Sequence, residues 1–325
     1  MGTRIWRVSC LAVLVVCAAG ARLPASDTAR QDDTGPPTIG LAVEPGGLLI
    51  QGIGPGELYD LEQETGILLT IRNRDRTDHT YLLSTHRPSE VGNRRLPVGY
   101  SDVVDPSWLS FEQREVRVPA QGSSRVRMYL EIPDDERYRN QHWSVSVAIV
   151  GKAERGETLT LALYPRYEIE TASAPREELR LRPAGQIGLC PSIAGFDLLP
   201  GSTQTREVVI CNNDRKRHSY RISLLGQGDL GDGRRIFPSG GYNWIPDVHW
   251  IGLPRPRLRP STTHSARNWP VLWLARRSYV GCPVTVTLPE GVPLPERGWE
   301  AILFVERDDG DTGFARVRVT RETST

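Results

Sequence analysis

The stretch 71–81, Ile71-Arg72-Asn73-Arg74-Asp75-Arg76-Thr77-Asp78-His79-Thr80-Tyr81, is written a second time without a gap at 210–220, Ile210-Cys211-Asn212-Asn213-Asp214-Arg215-Lys216-Arg217-His218-Ser219-Tyr220. Identity or near-identity holds at Ile71/Ile210, Asn73/Asn212, Asp75/Asp214, Arg76/Arg215, His79/His218, Thr80/Ser219 and Tyr81/Tyr220. A match of this length reads the chain as two copies of one module. Upstream of the asparagine, Ile67, Leu69 and Ile71 share one face at period two, as a half-buried strand requires. Asn73 and Asp75 carry short side chains that bond nearby backbone groups and turn the chain, and Tyr81-Leu82-Leu83 begins the return strand. The stretch therefore reads as strand, polar turn, strand.

Other matches extend outward from it. Residues 41–49 are echoed at 179–187, Trp108 at Trp250 and Trp143 at Trp299, with offsets of 138, 142 and 156 residues. The growing offset predicts an insertion in the second copy at 268–283, which holds Trp269, Trp273, Tyr279 and Cys282. Two readings of it stand side by side: an exposed aromatic binding hairpin, or an extra strand pair packed on its own sandwich. Trp244, Trp269 and Trp273 lack counterparts in the first copy and, with Tyr279, are the candidate binding residues. Trp108, Trp143, Trp250 and Trp299 occupy matched places, which points to packing.

Short strands, frequent turn signals and no helical period give an all-β fold of two tandem immunoglobulin-like β-sandwich domains, with a jelly roll as the rival. The predicted organisation is a signal peptide at 1–21, a polar leader at 22–38, one repeat at 39–171, a linker at 172–178 and the second repeat at 179–322. Arg4 and Arg7 precede an apolar run ending at Ala19, and Ala19-Gly20-Ala21 offers a cleavage site. The run is too short to span a bilayer, so no transmembrane segment is expected in the mature chain. The expected location is secreted, periplasmic or on the cell surface, with lipid anchoring at Cys17 as the alternative.

The net charge of +1 over 325 residues gives no basis for nucleic acid as a partner. Cys190, Cys211 and Cys282 are expected to form one disulfide of unassigned pairing in an oxidising compartment, leaving one thiol over. Their spacing suits no zinc site, and no metal or cofactor is expected. His79 and His218 read as turn histidines that bond backbone or pack on the adjacent tyrosine. The acidic stretches 228–233 and 308–311 read as tight turns rather than calcium loops. No catalytic motif of the nucleophile-elbow, zinc-protease, P-loop or dinucleotide type is present, so no catalytic residue is assigned and an enzyme is not expected.

The apolar strand, Asn73, polar turn and Thr80-Tyr81-Leu82 resemble immunoglobulin-like modules of bacterial envelope proteins. These include the N-terminal domain of periplasmic pilus chaperones and the peptidoglycan-binding type of domain in surface proteins that partner WxL proteins. Ile132-Pro133-Asp134-Asp135-Glu136-Arg137, followed by Trp143-Ser144-Val145, is similar to the late strand region of the chaperone domain. A pilus chaperone pairs two dissimilar domains whereas this chain repeats one kind, so no client-binding residue carries over. The resemblance implies a non-enzymatic protein engaging another envelope component, protein or polysaccharide. The alternatives are an assembly chaperone lending a strand edge to a client, and a carbohydrate-active enzyme.

Overall fold

Period-two alternation becomes two-faced strands: along Leu69–Asn73, Leu69, Ile71 and Asn73 are buried while Arg72 is exposed. The computed structural model describes residues 13–15, 40–92, 96–153, 161–174, 187–227, 236–253 and 271–321. The first half contains β1 (Val13–Val15), β2 (Leu41–Glu44), β3 (Gly47–Ile53), β4 (Leu58–Asp60), β5 (Leu69–Asn73), β6 (His79–His86) and β7 (Ser101–Asp102). It continues with β8 (Leu109–Phe111), β9 (Glu115–Val118), β10 (Ser123–Val126), β11 (Met128–Glu131), β12 (His142–Gly151), β13 (Ala162–Leu163) and β14 (Arg166–Thr171). The second half contains β15 (Ile187–Cys190), β16 (Ile193–Leu198), β17 (Thr203–Asn212), β18 (His218–Leu225) and β19 (Asn243–Trp244). It ends with β20 (Ile251–Gly252), β21 (Val271–Leu274), β22 (Ser278–Thr287), β23 (Trp299–Arg307) and β24 (Thr312–Arg321).

The protein is all-β, two immunoglobulin-like sandwiches in tandem. In the first, a sheet ordered β1-β3-β14-β12-β6-β9 packs on two smaller sheets, β10-β5-β2 and β4-β11-β8. In the second, β15-β17-β22-β20 packs on β16-β24-β23-β18-β21. The order β3-β14-β12-β6-β9 thus recurs as β16-β24-β23-β18-β21, and in each case the first two strands pair in parallel. Each sandwich encloses its own apolar core, one containing Leu69, Ile71, Val118 and Trp143, the other Val208, Ile210, Val284 and Trp299. Trp108 lies 5.3 Å from Trp143 and Trp250 lies 5.4 Å from Trp299, so these four indoles are matched packing pairs.

Strand register corrects two of the sequence alignments. Val43 of β2 faces Ile71, and Leu189 of β15 faces Ile210, so the counterpart of Leu41–Glu44 is Ile187–Cys190, not the stretch at 179–187. Glu44-Pro45 and Cys190-Pro191, both cis, then fall in the same place. Val118 of β9 faces His79 and Leu274 of β21 faces His218, while Ser124 faces Ile71 and Val280 faces Ile210. Val271–Leu274 and Ser278–Thr287 are therefore regular strands of the module. The additional residues of the second copy lie between Gly252 and Val271, not at 268–283. Residues 258–265, whose alternation echoes that of Val116–Pro119 and so shifted the expected insertion downstream, fall outside the described residues, as does Trp269.

The first copy has an addition of its own, a one-turn helix α1 (Leu61–Thr65) between β4 and β5; β4 itself matches the start of β17, since Tyr129 faces Asp60 as Thr285 faces Thr205. Asp60 caps the helix by accepting from the Glu62 and Gln63 N–H groups, and Gly66 closes it at φ 73°.

Candidate functional site

The repeated asparagine is the keystone of the repeated turn. Asn73 is 1% exposed; its Nδ2 donates to the Thr77 carbonyl at 2.7 Å and to the Pro119 carbonyl at 3.2 Å, and its Oδ1 accepts from the Asp75 N–H at 2.9 Å. Asn212 repeats the pattern with Lys216 O at 2.8 Å, Ala275 O at 2.8 Å and Asp214 N–H at 3.1 Å. One side chain so ties the turn to the neighbouring β-strand connection, a structural role in both copies.

The two histidines diverge. His79 Nε2 meets Asp75 Oδ2 at 2.8 Å and its ring lies 6.2 Å from Tyr81. His218 is buried between two carboxylates, with Nε2 2.9 Å from Asp214 Oδ2 and Nδ1 2.7 Å from Asp308 Oδ1. The hydrogen bond that His218 donates to Asp308 raises the His218 pKa, outweighing burial, and Asp214 adds to it. The expected backbone bond is thus replaced by carboxylates in both copies. Ligand atoms of His218, Asp308 and Asp309 lie within 4.8 Å of one another. Both ring nitrogens of His218, however, are already held by carboxylates, an arrangement suited to the imidazolium rather than to a metal ligand. Asp308 N–H bonds Ser219 O as Lys152 N–H bonds Thr80 O, so the first copy places a lysine where the second places this acid.

Around the turn the remaining candidates separate. Trp273 stands 61% exposed on β21 and Tyr279 46% exposed on β22. Trp244 packs against a third apolar cluster, between the sandwiches, with Tyr100, Ile302, Phe304 and Phe314. Its partial burial there makes it part of the joint rather than an open surface. All three cysteines are thiols, which corrects the expected disulfide. Val208, opposite Cys282, belongs to the core, so Cys282 points inward, away from the face that Cys190 shares with Val209 and Cys211. Cys190 Sγ donates to the Ala174 carbonyl at 2.8 Å, Cys211 Sγ to Asn213 Oδ1 at 3.4 Å, and burial pushes the Cys282 thiol up to about 11.

The most heavily bonded polar cluster escaped the sequence reading. Arg316 of β24 is fully buried and binds Glu170 of β14 through Nε to Oε2 and Nη2 to Oε1, both 2.6 Å, a bidentate fork between the two sandwiches. Its Nη1 donates to Glu300 Oε1 and to the Phe237 carbonyl at 2.9 Å. Tyr100 Oη and Gln51 Nε2 each donate to Glu170 at 2.6 Å, and Arg318 and Ser239 complete the shell of Glu300. Burial opposes ionisation of Glu170, but the charge and hydrogen bonds of Arg316 prevail and hold it at about 2. His142 stacks on Phe314 with centroids 4.0 Å apart. Asn140 Oδ1 accepts from the backbone N–H of Ala174 and Ser192, bonding the start of the connecting segment to the second sandwich. At Gly99, φ is +84° and a Cβ would overlap the Phe314 ring, so only glycine permits this approach. The signal available in the sequence was Phe314, an aromatic on a face otherwise alternating with arginines.

No protein-family model matches the chain, and no curated protein matches it. Solved structures share its shape loosely. The E. coli chaperone DraB is 11% identical, with a TM-score of 0.29, covering 87% of this chain and 97% of that one. A protein of unknown function from Porphyromonas gingivalis is 13% identical, TM-score 0.31, covering 86% and 99%. The PapD-like domain 7 of human CEP192 is 14% identical, TM-score 0.31, covering 47% and 99%. At such identities and scores the likeness carries no argument about activity.

Proposed function

We propose that the chain is a non-enzymatic binding protein of the cell envelope, secreted or periplasmic, in which two sandwiches held as one rigid unit engage an envelope protein or polysaccharide. The observation that carries the reading is the joint: the buried ionisable groups Glu170, Arg316 and Tyr100 are bonded to one another between the sandwiches. Glu168, pushed up to about 7 by burial, pairs with Arg166 at 3.2 Å on the same face. Such groups organise a scaffold, and a rigid scaffold lowers the entropy that binding must overcome. Isolated envelope material incubated with the purified chain should retain it saturably without releasing sugars or peptides. Release of soluble product in proportion to enzyme concentration would sink the reading.

A second reading, a chaperone that pairs a strand edge with a client, is favoured by one observation. The outer edge of β3 pairs with β1, which lies inside the expected signal peptide. Once that segment is gone the edge is open to a client strand. A proline introduced on β3 should then abolish capture of the client and leave folding intact. Retention of capture would exclude this edge.

A further inference from the structure

The two copies build the same pair of adjacent turns and charge them differently. Gln121 N–H bonds Asp75 O at 2.9 Å and Arg277 N–H bonds Asp214 O at 3.1 Å, and both donors have positive φ, 52° and 49°. The turns therefore superpose residue for residue. In the first copy Arg74 and Arg76 are balanced by Asp75 and Asp78, and Ala120 and Gln121 are neutral. In the second, Arg215, Lys216, Arg217, Arg276 and Arg277 share the two turns with a single acid, Asp214, and the acids of the neighbouring hairpin are engaged elsewhere: Asp308 joins Asp214 on His218, while Asp309 and Asp311 pair with Arg307. All five cations are exposed, and among the described residues no carboxylate forms an ion pair with them.

The change is coordinated. Asp78 and Arg117, a 2.8 Å ion pair in the first copy, are replaced at the matched places by Arg217 and Trp273, whose guanidinium lies 5.0 Å from the indole centroid. Ser123 is likewise replaced by Tyr279, on the opposite sheet. The second sandwich thus ends in a pair of basic turns with an exposed aromatic on either flank.

We infer that this tip docks on an anionic lipid surface, its arginines and lysine on headgroup phosphates and Trp273 and Tyr279 at the level of the headgroups. Cations concentrated within one Debye length act together on such a surface, and tryptophan and tyrosine favour the interface between water and acyl chains. The inference extends the envelope-binding reading, and its failure would leave binding of a polysaccharide or protein elsewhere untouched.

The test is sedimentation of the purified secreted chain with vesicles of phosphatidylglycerol and phosphatidylcholine, against phosphatidylcholine alone and against a soluble acidic polysaccharide. Binding should require phosphatidylglycerol and weaken as salt is raised. Each cation contributes roughly a fivefold factor, so Arg215→Gln, Arg217→Gln and Arg276→Gln together should reduce binding about a hundredfold. Trp273→Ala should weaken it severalfold and reduce the lipid-induced change in tryptophan emission. Arg74→Gln with Arg76→Gln, at the matched tip of the first copy, should leave it unchanged. An unaltered unfolding midpoint guards against misfolding, with Arg276→Gln and Arg277→Gln as the milder substitute. Equal binding to neutral vesicles, equal binding by the triple variant, or binding to the polysaccharide with none to vesicles would overturn the inference.

Discussion

Arg166 and Arg316 occupy the same position of the same strand in the two sandwiches, opposite Gly47 in one and Ile193 in the other. Arg166 remains partly solvated beside Glu168. Arg316 is sealed between Glu170 and Glu300 at the joint. The histidines of the turn show the same divergence, one beside a single carboxylate and the other between two. The module fixes where a side chain stands, and the neighbouring sandwich or hairpin decides what it does there.

Breaking the comparison at its strongest point, Arg316→Met should cost about 3–5 kcal/mol, because buried Glu170 loses its counter-charge and Glu300 loses one of two. Arg166→Met should cost about 1 kcal/mol or less. Denaturant unfolding of the two variants measures the contrast. The asparagines should behave alike: Asn73→Ala and Asn212→Ala each leave buried backbone carbonyls without a donor, a loss of about 2–3 kcal/mol by the same measurement.

The histidines should then differ with pH. His218→Gln removes two charge-assisted hydrogen bonds, about 1–2 kcal/mol at acid pH, whereas His79→Gln should cost less. Because the folded-state pKa of His218 is raised, its contribution is fully present below its ordinary 6.5 and is lost as pH rises through the higher folded value. The wild-type advantage over His218→Gln should therefore shrink toward alkaline pH. A growing advantage would contradict the placement of Asp308. The smallest effect is expected at the tip, where importing the first copy's pair as Arg217→Asp with Trp273→Arg should leave the unfolding midpoint unchanged.

The strands and the sandwich class were legible in the sequence because period-two burial is written locally, as in Leu69, Ile71 and Asn73. The place of the insertion was not, because an echo of alternating residues near 258–265 competed with the true partners Val271–Leu274, and only the register of β21 against β18 separates them. Alternation along β24 places Arg316 on one face with Phe314 and Arg318 but says nothing of what covers that face, since Glu170 lies 146 residues away in the chain. The basic tip was hidden by averaging: a whole-chain charge of +1 contains a turn pair of five cations and one acid. Trp273 was singled out from sequence for lacking an aromatic counterpart, and the structure adds that its counterpart is Arg117.

The claim that the two sandwiches form one unit through Glu170 and Arg316 is tested most directly by calorimetric unfolding of the wild-type chain beside Glu170→Gln. The wild type should unfold in one cooperative transition and the variant in two, as the joint releases before the cores. Two transitions in the wild type, or a single unshifted transition in the variant, would contradict it.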